Sequence, residues 1–216
     1  MRVPHIRIFG CGSLYTVNMK KILPRTFYLH PPDIVARNLL GKLIVRELEG
    51  ERLIGRIVEA EAYFGLDDPA AHSFAGKTAR NAVLFGPPGF AYVYFIYGMY
   101  YCLNFSCEPD GHAGGVLIRA LEPVAGLETM ARLRGLAPHA KPRLLTSGPG
   151  RLCQALGITR AAHNGLDVTT PASGLYIEND GFAPPKIAVT PRIGIRHAAE
   201  RPLRFLIEGN TFVSGA

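Results

Sequence analysis

The chain has 216 residues, with 24 Lys and Arg against 17 Asp and Glu, for a formal charge of +7. A hydrophobic content of 48% excludes a disordered tail or low-complexity linker, and this length suits one large domain with a sizeable core. The moderate basic excess favours a polyanionic partner without naming one.

Residues 1–25 carry no motif and are expected to form an N-terminal extension, ahead of a single domain over 26–216. The early arginines are followed by Cys11-Gly12-Ser13 and Asn18-Met19-Lys20-Lys21 rather than by an apolar stretch of secretory length, so no signal peptide is expected. Met19 offers an alternative start that would leave 1–18 as an extension. Pro31-Pro32-Asp33, apolar Ile34, Val35, Leu39 and Leu40, then Gly41, predict a short helix. Strands follow over Lys42–Leu48 and Leu53–Ala62, joined around Glu49-Gly50 as a hairpin. The stretch from Asp67 to Pro88 is polar, then rich in Gly and Pro, and reads as irregular.

Ala91–Tyr97 is predicted as a strand from its Tyr, Val, Phe and Ile content. Val116–Leu121 is another, interrupted by Arg119. A stripe of Val124, Leu127, Met130 and Ala131 predicts a helix over 123–134, and 136–143 looks like a linker. Ser147-Gly148-Pro149-Gly150 enters a helix over Arg151–Leu156, with Ser147 as its expected cap. Leu175–Glu178, Lys186–Val189 and Leu203–Glu208 complete the strands. The expected fold is mixed α/β (α+β): a single domain on a curved, largely antiparallel sheet with surrounding helices.

No charged residue occurs from Asn81 to Cys107, yet Tyr92 to Tyr101 holds five of the nine tyrosines. Gly86-Pro87-Pro88-Gly89, phenolic hydroxyls and Asn104 argue against a membrane span, because such groups are expensive in lipid. The four cysteines (11, 102, 107 and 153) and seven histidines show no metal-ligand spacing, so no metal or cofactor is expected. A chain of this size does not need disulfides, which points to an intracellular, reducing compartment.

Three groups of residues invite a chemical reading. Glu59, Glu61 and Tyr63 alternate along one strand and so share a face, with aromatic neighbours that would desolvate a carboxylate. Spacing does not choose between the two acids. Tyr94 and Tyr97, an odd number apart, fall on opposite faces of their strand, either as core rings or as a platform for stacking bases. Arg119, in an apolar strand, is expected to pair with Glu59 or Glu61 if buried, or to reach solvent at a rim. His72 reads as a loop histidine, and Asn104 as a pocket or turn residue.

Taken in order, Ile57-Val-Glu-Ala-Glu-Ala-Tyr63, Asp68-Pro-Ala-Ala-His-Ser73, Arg80-Asn81, Gly86-Pro-Pro-Gly89, Tyr92-Val-Tyr-Phe-Ile-Tyr-Gly-Met99, Leu117-Ile-Arg-Ala-Leu-Glu-Pro123 and Ser147-Gly-Pro-Gly-Arg-Leu-Cys-Gln-Ala-Leu156 closely resemble the alkyladenine (3-methyladenine) DNA glycosylase family. The resemblance runs from about Leu39 to about Leu206. It implies an enzyme that flips alkylated or deaminated purines out of double-stranded DNA and hydrolyses their glycosidic bond, without metal or cofactor. By position it implies Glu61 as the general base, Arg119 as its partner in holding water, and Tyr63, His72 and Tyr94 as pocket walls. Tyr97 would be the wedge in the duplex, Asn104 the residue that rejects guanine, and Glu59 not the catalytic acid. A monomer is expected, in the nucleoid of a bacterium or the nucleus of a eukaryote. The competing readings are a non-catalytic nucleic-acid-binding module and a hydrolase of small nucleosides.

Overall fold

The structure, a computed structural model, describes residues 21–215. Of the expected N-terminal extension, residues 1–20 and with them Cys11 and Met19 lie outside the described residues. Residues 21–25 are joined to the sheet: strand β1 (Lys21–Ile22) pairs with a distant strand over 175–179, and the Arg25 guanidinium meets the Asp167 carboxylate at 2.5 Å.

Helix α1 (Pro32–Leu39) follows, with Pro32 in its first turn where no amide hydrogen is needed. It buries Val35, Ala36 and Leu39 against the two longest strands of the sheet. Strands β2 (Leu43–Leu48) and β3 (Glu51–Tyr63) form the predicted hairpin. Glu49 and Gly50 make its turn, both at positive φ, as the right-handed twist of paired strands requires. The uncharged window folds into a second hairpin, β4 (Ala91–Ile96) and β5 (Tyr100–Ser106). Among the described residues no helix is long and apolar enough to cross a membrane.

Strand β6 (Gly115–Ala125) extends four residues beyond the sequence expectation, because its end pairs with Ile54–Arg56 of β3. The helix expected from residue 123 therefore begins only at α2 (Leu127–Leu133). Gly126 makes the switch at φ 76°, where a Cβ would meet Leu53 at 2.4 Å. Two short helices, α3 (Arg143–Thr146) and α4 (Pro149–Ala155), pack beneath β5 and β6. Ser147 does not cap α4; its hydroxyl donates to the Phe212 carbonyl. Helix α5 (Arg160–His163), capped by Thr159, had no clear sequence signal. Strands β7 (Leu175–Asn179), β8 (Ile187–Thr190) and β9 (Arg204–Ile207) close the fold.

All the pairings are antiparallel, in the order β1-β7-β2-β3-β6-β5-β4. Strand β3 is the spine. One edge pairs with β6 along its length, while the other pairs first with β2 and then, over Glu59–Glu61, with β9. A strand that changes partners midway must bend, and register shifts at Gly55 and around Glu59 supply the bend. The result is the expected α+β domain on a curved sheet. Its core holds Tyr28, Ile57, Val58, Phe105, Ile118 and Leu121, all without solvent exposure.

Candidate active site

The bend in β3 places Glu59 and Glu61, both with no solvent exposure, against Arg119 of β6. Arg119 is 7% exposed, which rules out the rim alternative, and it pairs with both acids. Its Nε lies 2.9 Å from Glu59 and its Nη1 3.2 Å from Glu61. The third guanidinium nitrogen donates to the Ser214 hydroxyl at 3.2 Å. A buried arginine is tolerable when its donors are answered in this way.

The environments of the two carboxylates differ in kind. Glu59 accepts from Arg119, from Arg204 Nε at 2.6 Å, and from both the amide and the hydroxyl of Ser214. Its two oxygens are consumed by groups that hold three segments of chain together. Glu61 accepts from the Ile193 amide at 2.8 Å and from the Tyr63 hydroxyl at 2.9 Å. Those two donors and Arg119 all line a cavity of about 380 Å³, with Tyr94, Tyr97 and the Gly148–Arg151 turn on its other sides. Glu61 itself lies just beneath the cavity floor. The carboxylate that spacing alone left ambiguous is thus distinguished by what its hydrogen-bond partners face.

A second, smaller cavity of about 150 Å³ shares the Tyr63, Tyr94 and Gly194–Ile195 walls and is closed by His72, Tyr92 and Asn104. The His72 ring meets Tyr94 edge-to-face with centroids 4.4 Å apart, and its Nδ1 lies 3.0 Å from the Tyr92 hydroxyl. Partial burial and the charge of Arg80 push its pKa below the ordinary histidine value, which favours the neutral ring. Burial raises the pKa of the Tyr63 and Tyr94 hydroxyls well above the ordinary phenol range, so both stay protonated. Asn104 is buried, and its amide nitrogen donates to the Tyr92 carbonyl across the hairpin at 3.2 Å. That bond holds the side chain at the cavity wall. Of the two sequence readings for Asn104, the strand position beside a pocket is the observed one.

Tyr97 departs from expectation. Strand β4 ends at Ile96, and Tyr97 with Gly98 occupies the turn, at φ 53° and 69°. The opposite-face argument therefore fails: Tyr94 and Tyr97 line the same cavity. Tyr97 is 77% exposed and flanked by exposed Phe95 and Met99, so the hairpin tip projects apolar surface into solvent. A bulky residue in the left-handed region costs roughly 1–2 kcal/mol, strain of the sort that collects at functional sites.

Sequence reasoning missed two parts of the site. Arg192 and Asp68 form a bidentate pair behind Tyr63, and Ser214 closes the Glu59 cluster. Asp68 stood only as a member of the Asp68–Ser73 motif, Arg192 lay within the span of the resemblance with no local spacing to mark it, and Ser214 lay beyond that span. Among the described residues no cluster of His, Cys, Asp and Glu has the arrangement of a metal site.

The profile of the methylpurine-DNA glycosylase family matches residues 26–211. The chain belongs to this family. Among curated relatives, a Koribacter versatilis protein named "Putative 3-methyladenine DNA glycosylase" is 59% identical over 89% of this chain and 93% of its own length. A protein of the same name from Methanocella arvoryzae is 53% identical, covering 89% of this chain and 96% of its own. One from Burkholderia cenocepacia, again of that name, is 50% identical over 90% and 92%. Membership in a family of DNA glycosylases makes DNA the substrate class.

Proposed function

We propose that this protein is a monofunctional glycosylase that removes 3-methyladenine, 7-methylguanine and deaminated purines from double-stranded DNA. It acts as an intracellular monomer, with water as the nucleophile. The observation that carries the reading is a carboxylate, Glu61, set with Arg119 under the floor of a tyrosine-walled cavity, next to an exposed tyrosine on a hairpin tip. The relatives' names supply 3-methyladenine as a substrate.

A base within a duplex hides its glycosidic carbon, so it must leave the stack, at a cost of a few kcal/mol. Tyr97 enters the vacated space and offsets part of that cost, while lysines and arginines hold the phosphates. The extruded base stacks against Tyr63 and Tyr94, with His72 at its side. Alkylated purines such as 3-methyladenine and 7-methylguanine carry positive charge, which adds cation–π attraction to stacking.

Glu61 then takes a proton from water as the oxygen attacks the sugar carbon. The bond from that carbon to the purine nitrogen breaks, and the cationic base leaves as a neutral molecule with the bonding pair; a neutral deaminated purine must also take up a proton, so that it too leaves as a neutral molecule. The anionic carboxylate also stabilises positive charge developing on the sugar. The Tyr63 hydroxyl donates to one oxygen of Glu61, and that oxygen keeps a second lone pair with which to accept from water.

The direct test incubates the protein with methylated duplex DNA in the presence of a chelator and assays free purines. Release of 3-methyladenine with an abasic site left behind is expected. A binding module would release nothing. A nucleoside hydrolase would cleave free nucleosides and spare the duplex.

Asn104 is proposed to reject guanine, whose exocyclic amino group would meet its fixed side chain. Asn104→Ser is expected to narrow the preference for hypoxanthine over guanine by about tenfold, since one lost polar clash is worth on the order of 1–2 kcal/mol. Excision rates on matched duplexes with either base check this, and unchanged discrimination removes Asn104 from the role.

A further inference from the structure

We infer that Arg192, locked to Asp68, is a positioning residue that sets both Glu61 and Tyr63 for base release. The inference rests on the glycosylase reading and adds to it a component that touches neither DNA nor water. The two side chains have no solvent exposure. Arg192 Nη1 donates to Asp68 Oδ2 at 2.5 Å and Nη2 to Oδ1 at 2.8 Å. The same Nη1 donates to the Ala62 carbonyl at 3.0 Å, at the end of β3. Asp68 also accepts from the amides of Phe64 and Ala70, at the start of the loop that carries His72.

The pair therefore ties together the end of β3, the His72 loop and the 192–195 segment, which walls both cavities. Two contacts carry its influence into the site. The Arg192 guanidinium carbon lies 4.6 Å from the centroid of the Tyr63 ring, and the next residue, Ile193, gives its amide hydrogen to Glu61. Moving Arg192 would thus shift one wall of the base pocket and one donor to the carboxylate together.

Stability alone does not call for an ion pair here: replacing a buried pair by well-packed apolar side chains of similar volume is often neutral or stabilising. Arg192 Nε, moreover, is buried without a hydrogen-bond acceptor. What this geometry does provide is directional: a planar fork that permits one orientation of the segment behind it.

The test compares Arg192→Met/Asp68→Leu, which replaces the pair by apolar side chains, with Arg192→Lys, which keeps the charge and loses the fork. Melting temperature, binding to alkylated duplex, single-turnover base release and hydrogen exchange of the Ile193 amide are measured. The double variant is expected to melt at or above the wild-type temperature and to bind DNA with an affinity within about twofold. Its base release should be slower by on the order of 10²-fold, the effect of misplacing reacting groups by about an ångström. Arg192→Lys should show a smaller loss in the same direction. Exchange at Ile193 should quicken in both while the core strands remain protected.

A folded double variant that releases base at the wild-type rate overturns the inference. So does a rate loss matched by an equal loss of DNA binding, or unchanged exchange at Ile193. If the double variant does not fold, Arg192→Lys decides on the same readings. Failure of the wild-type protein to release purine is a separate result: it sinks the glycosylase reading, whereas the exchange measurement still tests whether the pair holds the site.

Discussion

Replacing Glu61 by glutamine is expected to leave the fold and DNA binding intact and to slow base release on the order of 10³-fold. The side chain keeps its volume, and an amide oxygen can still accept from the Ile193 amide and from Arg119. What disappears is the negative charge beneath the cavity, and with it both the acceptor for the water proton and the stabilisation of a cationic sugar. The Tyr63 hydroxyl can then accept from the new amide instead of donating. Single-turnover release of 7-methylguanine or 3-methyladenine from duplex DNA checks this, and turnover retained at wild-type level would remove Glu61 from the mechanism.

Glu59→Gln provides the contrast. Glu59 answers two arginines and both donors of Ser214, and loss of its charge leaves Arg119 and Arg204 undercompensated in the interior. Breaking a buried pair in this way costs roughly 3–5 kcal/mol, so a lowered denaturation midpoint is the expected result. The two variants thus separate the chemical role proposed for Glu61 from a structural one for Glu59, two residues away on the same strand.

Tyr97→Ala is expected to weaken binding to damaged duplex and to slow excision there by about 10- to 100-fold. The effect should be far smaller on single-stranded DNA. The physical reason lies in the extrusion cost: a ring that fills the gap and stacks on its neighbours is worth about 1–3 kcal/mol, and single strands have no gap to fill. Stability should change little, because the side chain is exposed and alanine keeps the Cβ that makes the left-handed turn position costly. Excision rates on matched duplex and single-stranded substrates decide the matter. Equal losses on both would assign Tyr97 to the pocket wall rather than to the duplex.

Much of the framework was legible from local pattern. Alternation and the Glu49-Gly50 turn predicted β2 and β3, and proline and glycine marked the ends of α1. Where local pattern misled, a tertiary partner had intervened. Residues 123–125 suit a helical stripe, yet β3 offered them backbone partners and kept them as strand. The 91–106 stretch holds too many strand-forming residues to show where it turns, and the turn settles on Tyr97, which pays for it in backbone strain.

By itself the sequence determined that this is one α+β domain with a net positive charge, and which residue types gather in order along it. It also carried the family resemblance, since ordered motifs survive where three-dimensional detail is invisible. Spacing left Glu61 and Glu59 alike, and only the tertiary structure shows how their surroundings differ, because the donors come from Ile193, Arg204 and Ser214, more than 130 residues away along the chain. It alone set Arg192 against Asp68 behind Tyr63, across 124 residues. Periodicity reports which way neighbouring side chains point within one strand. It is silent on what returns from elsewhere in the chain to meet them, and the chemistry of a buried carboxylate depends on those partners.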